Sequence, residues 1–161
     1  GFTVLQTMVE HPDVFSAGID LYGVADQFGL AAETHKFESR YTDSLVGPLP
    51  SAAEVYRQRS PVFRADRIRR PLAIFQGAID RVVPRNQSDR VVQALRQNGV
   101  PHIFHVYEGE GHGWRQAETI EHFYQELDSF LRKYVVYQQT SEAMTVESGQ
   151  QPVVALPPNQ G

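Results

Sequence analysis

The chain has 161 residues, enough for one domain with a real core, and its 41% hydrophobic and 21% charged residues are ordinary for a globular protein. Lys and Arg number 15 against 19 Asp and Glu, and the formal net charge of −4 offers no basic surface for nucleic acid. Cysteine is absent, which excludes disulfides, thiolate metal sites and a cysteine nucleophile, and no apolar run approaches the ~18 residues of a membrane span.

Phe2, Leu5, Met8 and Val9 recur at helical spacing until Pro12 stops the run. The opening residues have no basic n-region and do not read as a signal peptide. Because the chain does not begin with Met and starts inside a helical pattern, it is expected to be a fragment or processed product. Phe15 to Tyr22, FSAGIDLY, closed by Gly23, reads as a buried strand. From Asp26 to about Val62 the pattern weakens. That stretch holds the polar AAETHKFESRYTD, a turn-prone GPLP at 47–50, and a short helix over Ser51 to Arg59 with Ser51 as N-cap and Glu54 completing a capping box.

The second half is more regular. Pro71 to Gln76 reads as a buried strand ending at Gly77. Pro84 suits the first turn of a helix that runs to Asn98, with Gly99 as its left-handed stop. His102 to Tyr107 alternates like a strand, and the glycines at 109, 111 and 113 end it. Ile120, Phe123, Tyr124, Leu127, Phe130, Leu131 and Tyr134 trace a helical stripe read as core, with Arg132 and Lys133 placed to suit the helix dipole. Beyond Tyr137 the sequence is polar and aperiodic, so residues 1–137 are expected to form the folded unit and 138–161 a disordered tail. Strands alternating with helices predict an α/β fold, a parallel sheet covered on both faces.

In open parallel sheets, functional groups gather in the loops at the carboxyl ends of the strands. The loop after the 71–76 strand, GAIDRVVPRNQS, carries Asp80, and the loop after the 102–107 strand, EGEGHGW, carries His112 among three glycines. Alone, such an aspartate is usually a turn former and such a histidine usually structural. Together, at the tips of consecutive strands and in this chain order, they are two-thirds of a Ser…Asp…His arrangement. In that chemistry the histidine takes the serine proton and returns it to the leaving group, while the acid holds its tautomer and stabilises the imidazolium. Arg81 reads as solvated, and Glu108 and Glu110 as rim charges. His102 and His105, three apart on a strand, point to opposite faces and form no metal pair. No HExxH, CxxC or phosphate-binding glycine loop occurs, so no metal and no cofactor are expected.

These loops resemble those of the prolyl oligopeptidase family of serine peptidases. GAIDRVVPRNQS is similar to that family's Gly-x-x-Asp-x-x-Val-Pro-x-x-Gln loop, and EGEGHGW to its Gly-x-Gly-His-Gly-aromatic loop. GFTVLQTMVEHPDVFSAGIDLYGVAD resembles the segment that follows the family's Gly-x-Ser-x-Gly-Gly nucleophile motif, with Gly1 as the last glycine. The resemblance covers residues 1 to about 137. It implies an α/β-hydrolase fold, of which this chain is the C-terminal part, with Asp80 as triad acid and His112 as triad base. None of the serines at 16, 39, 44, 51, 60, 88, 129, 141 and 148 lies in Gly-x-Ser-x-Gly, since Val14 stands where Ser16 would need a glycine. The nucleophile, the oxyanion donors and a substrate-gating β-propeller are therefore expected in a missing N-terminal part of the same protein.

The expected substrate is a peptide, cleaved through an acyl-enzyme, with no nucleic-acid or membrane partner. A carboxylester hydrolase using the same two residues, and a non-catalytic hydrolase-like interaction module, remain open at this point. No compartment is assigned, because a targeting signal would lie upstream.

Overall fold

Six consecutive residues, Leu72–Gly77, are buried, as expected of a central strand covered on both faces of a parallel sheet. A computed structural model describes residues 1–33 and 41–137. In it this strand, β2, lies between β1 (Gly18–Leu21) and β3 (His102–Tyr107). Both pairings are parallel, with Gly18 opposite Leu72 and Leu72 opposite His102.

Alternation along the strands feeds two cores. Leu72, Ile74 and Phe104 face one side. There they meet Leu5, Met8 and Val9 of α1 (Phe2–Glu10) and Val91, Val92 and Leu95 of α5 (Asn86–Gln97). Ala73, Phe75 and Tyr107 face the other side, against Phe123 and Phe130 of α6 (Ala117–Leu131) and Tyr134 beyond it. The period of two in the strands and the stripes on α1, α5 and α6 thus produce a layered α/β structure. Among the described residues no helix is long and apolar enough to cross a membrane.

Several local expectations are corrected. The first strand is shorter than FSAGIDLY, because Phe15 and Ser16 are exposed on the approach to it. The 26–62 stretch is not irregular throughout. The helix expected over 51–59 is present as α4 (Ala53–Gln58), but among the described residues two further short helices, α2 (Gln27–Glu33) and α3 (Tyr41–Val46), precede it and a 3-10 segment at Pro61–Arg67 follows. Ser51 does not cap α4. Its hydroxyl donates back to the Pro48 carbonyl at 2.9 Å, Ala52 occupies the cap, and no side-chain capping bond forms. The turn chemistry of GPLP competes for that hydroxyl and wins. Pro84 precedes α5 rather than opening it, and its carbonyl accepts the Gln87 N–H at 3.0 Å. The aromatic stripe is only partly core: Phe123, Phe130 and Tyr134 are buried, whereas Tyr124 is 63% exposed. At its end the helix widens into a π-turn, Arg132–Val136, whose first carbonyl accepts the Tyr137 N–H. Residues 138–161, expected to be a tail, lie outside the described residues, as do residues 34–40 of the polar stretch.

Candidate active site

Because β2 and β3 are adjacent and parallel, the loops at their carboxyl ends lie side by side. Backbone bonds tie these loops together: the Ala78 N–H donates to the Tyr107 carbonyl and the Ile79 N–H to the Glu110 carbonyl, each at 3.0 Å. So close an approach requires glycine at 77. A Cβ there would stand 2.2 Å from the Gly111 carbonyl oxygen and 2.5 Å from that of Glu110, and no backbone atom can give way that far. In the second loop the Gly113 N–H donates to the Gly111 carbonyl at 3.0 Å, closing a tight turn around His112 that Gly113, at φ +123°, accommodates.

Asp80 and His112 meet across this junction. His112 Nδ1 lies 2.8 Å from Asp80 Oδ2. The Asp80 side chain is fully buried, and that of His112 is 36% exposed. The two oxygens of Asp80 divide the work. Oδ1 accepts the N–H groups of Val82 at 2.8 Å and Val83 at 2.9 Å, which makes Asp80 the turn former that a lone aspartate would be. Oδ2 is left for the imidazole. An ionised carboxylate only accepts, so Nδ1 carries the proton and Nε2 presents a lone pair outward.

Gln76, buried at the end of β2, supports this geometry from below, and sequence reasoning missed it. Its Oε1 accepts the Ser88 hydroxyl at 2.8 Å, so its amide nitrogen must face the other way. That nitrogen donates to the Val83 carbonyl at 3.1 Å and approaches Asp80 Oδ2 at 3.5 Å. A glutamine inside an otherwise apolar strand was the available signal. Gln87 is a second brace: its Oε1 accepts the N–H groups of Ala25 and Asp26, which joins the loop after β1 to the start of α5.

Glu110 departs from expectation. It is buried at 1% exposure rather than a rim charge, and its carboxylate accepts the backbone N–H groups of Arg115 and Gln116 at 2.8–3.1 Å. The Gln116 N–H, seconded by that of Arg115, holds its carboxyl below the ordinary range. Glu110 therefore ties the histidine loop to the residues that lead into α6. Glu108 is exposed, as is Arg81. Trp114 anchors the same loop, its ring packing 4.9 Å from Tyr107 and 6.1 Å from Phe123. His112 also meets the loop after β1, where the Tyr22 ring stands 4.2 Å from the imidazole.

The remaining histidines of β3 lie apart from this site. His102 Nδ1 contacts the Val100 carbonyl at 2.7 Å, and His105 Nε2 contacts Glu126 at 3.1 Å. Among the described residues no group of three or more His, Cys, Asp or Glu side chains is arranged to hold a metal ion.

Asp20, in the middle of FSAGIDLY, also went unnoticed. It is fully buried on β1 against the backbones of Gly1 and Gly23, and neither carboxylate oxygen has a hydrogen-bond partner. Burial pushes its carboxyl up to about 6. The unfolded chain surrenders this proton near 3.8, so stability falls as pH rises from about 4 to about 6 and stays lower above that. The loss from this group is on the order of 3 kcal/mol. Asp20→Asn should remove that component. The urea midpoint of the variant should move less between pH 4 and pH 7 than that of the parent chain, and equal movement in both would show that Asp20 is not the titrating group.

Comparison with known proteins extends the picture. The model of the prolyl oligopeptidase family matches residues 1–137. Dipeptidyl aminopeptidase BIII of Pseudoxanthomonas mexicana is 29% identical over 136 residues, covering 81% of this chain and 20% of that protein. Two solved structures are similar. A Mycobacterium tuberculosis puromycin-hydrolyzing peptidase has 36% identity and a TM-score of 0.75, covering 80% of this chain and 20% of that one. A puromycin hydrolase has 42% identity and a TM-score of 0.71, covering 79% and 20%. The fold is therefore that of an α/β-hydrolase, and the chain spans about one fifth of the length of the relatives it matches.

Proposed function

The chain belongs to the prolyl oligopeptidase family, and on that premise we propose that Asp80 and His112 are the acid and base of a serine-peptidase triad. The observation that carries this reading is the 2.8 Å contact between His112 Nδ1 and the buried Asp80 Oδ2. With Nδ1 committed, Nε2 takes the proton of a serine hydroxyl as that oxygen attacks a peptide carbonyl. The Asp80 charge stabilises the imidazolium that forms. The proton then passes from Nε2 to the leaving amine, and a water molecule repeats the sequence to release the acyl group.

None of the nine serines of this chain lies in a nucleophile motif, so the attacking serine is assigned to a segment of the same protein preceding Gly1. The same upstream region would supply the oxyanion donors and a β-propeller that screens substrates. The relatives, about five times longer than the matched region, leave room for both.

Labelling with a serine-directed fluorophosphonate tests the proposal. The full-length protein should be labelled at one serine upstream of Gly1, and the 161-residue chain alone should remain unlabelled. Labelling of the isolated chain at one of its own serines would refute the assignment, as would a full-length protein that resists the reagent.

A further inference from the structure

Tyr22 is an oddity of the backbone. Its φ is +43°, and among the described residues it is the one non-glycine in that region. For a bulky side chain this conformation is strained and persists only where surrounding structure imposes it. A glycine would occupy the position without strain, and one stands at the next residue, Gly23. The turn alone therefore does not account for a tyrosine at 22.

The surroundings of the ring do account for it. The Tyr22 N–H still donates to the Phe75 carbonyl at 2.9 Å, so its backbone is held at the end of β1. Its ring lies 4.2 Å from the imidazole of His112, tilted at 49°, and 5.5 Å from the indole of Trp114, edge-on at 73°. His112 is thus contacted from two elements: by Asp80 of the β2 loop at Nδ1, and by Tyr22 of the β1 loop on its ring. Glu110, the acidic neighbour on the histidine's own loop, is occupied by the Arg115 and Gln116 backbone.

We infer that Tyr22 is a positioning residue for His112: its ring holds the imidazole against Asp80 and stabilises the imidazolium formed when Nε2 takes the serine proton. A π-face within ~6 Å of a cation attracts it, and the attraction grows where water is partly excluded. The ring is therefore more useful after proton transfer than before, which is the condition for raising kcat rather than affinity. The inference rests on His112 being the base, as proposed above.

The test uses the full-length protein with Tyr22→Phe, Tyr22→Leu and Tyr22→Gly, alongside His112→Ala. Turnover of peptidyl p-nitroanilides and the rate of fluorophosphonate labelling are each followed against pH. Tyr22→Phe keeps the π-face and should stay near the parent. Tyr22→Leu and Tyr22→Gly should lose about 3- to 30-fold in kcat, with KM little changed. The acid limb of their pH–rate profiles should move to lower pH, because the imidazolium has lost a stabilising neighbour. Tyr22→Gly accepts a positive φ freely, so its loss reports the ring rather than a displaced backbone. If His112→Ala is inactive while the Leu and Gly variants keep the parental kcat and profile, the inference about Tyr22 fails and the triad reading stands. A rise in KM alone would make Tyr22 a substrate-binding residue and overturn the inference. An active His112→Ala would overturn the triad reading itself.

Discussion

Replacing His112 with Ala in the full-length protein should abolish fluorophosphonate labelling and peptide turnover together. A serine hydroxyl is a weak nucleophile until a neighbouring base takes its proton, and Nε2 of His112 is the group left available by the Asp80 contact. Loss of the equivalent histidine in a different serine protease lowers turnover on the order of 10⁶-fold, and a loss of that size is expected here. The fold should survive, because the side chain of His112 is 36% exposed and its loop is fastened by Trp114 and Glu110. The measurement is turnover and labelling beside a urea midpoint for the same variant. Undiminished turnover in a variant with a normal midpoint would remove His112 from the chemistry and leave only the fold.

Asp80→Asn should lose on the order of 10⁴ in turnover, a figure taken from the corresponding change in another serine protease. The direction follows from this site. The side-chain carbonyl must stay at the Oδ1 position, because Val82 and Val83 both donate to it. The amide NH2 is then forced toward His112. It donates to Nδ1, the imidazole proton moves to Nε2, and the histidine can no longer accept the serine proton. Flipping the amide would set two donors against the Val82 and Val83 N–H groups, at a cost of about 1–3 kcal/mol for each unsatisfied group. Single-turnover acylation of a p-nitroanilide reads the effect directly. A variant that acylates within tenfold of the parent would show that Oδ2 does not govern the tautomer.

Much of the architecture was legible in residue order. The continuous apolar run at 71–76, the alternation at 102–107 and the stripe from 120 to 134 report burial through local periodicity, which needs no knowledge of what lies opposite. Boundaries were less legible. Ser51 had the spacing of a capping box, yet the turn at 47–50 claimed its hydroxyl. The helix expected over 51–59 forms as α4, whereas α2 and α3, at seven and six residues, carry too little periodicity to be recognised.

For the site, the sequence alone pointed to the two candidate residues and the strand ends that bear them, because Asp80 and His112 each follow a recognisable strand. It could not determine that Oδ1 would be spent on a turn and Oδ2 on the imidazole, that Gln76 would brace the acid, or that Glu110 would be buried. Nor could it place Tyr22 on His112, 90 residues away in the chain. These outcomes depend on how closely three separate loops approach one another. That distance is set by adjacent strand register and by the clearance above a single glycine at 77, which are properties of the assembled sheet. A buried polar atom is satisfied by whichever partner the packing brings within hydrogen-bond reach, and only the tertiary structure decides which one arrives.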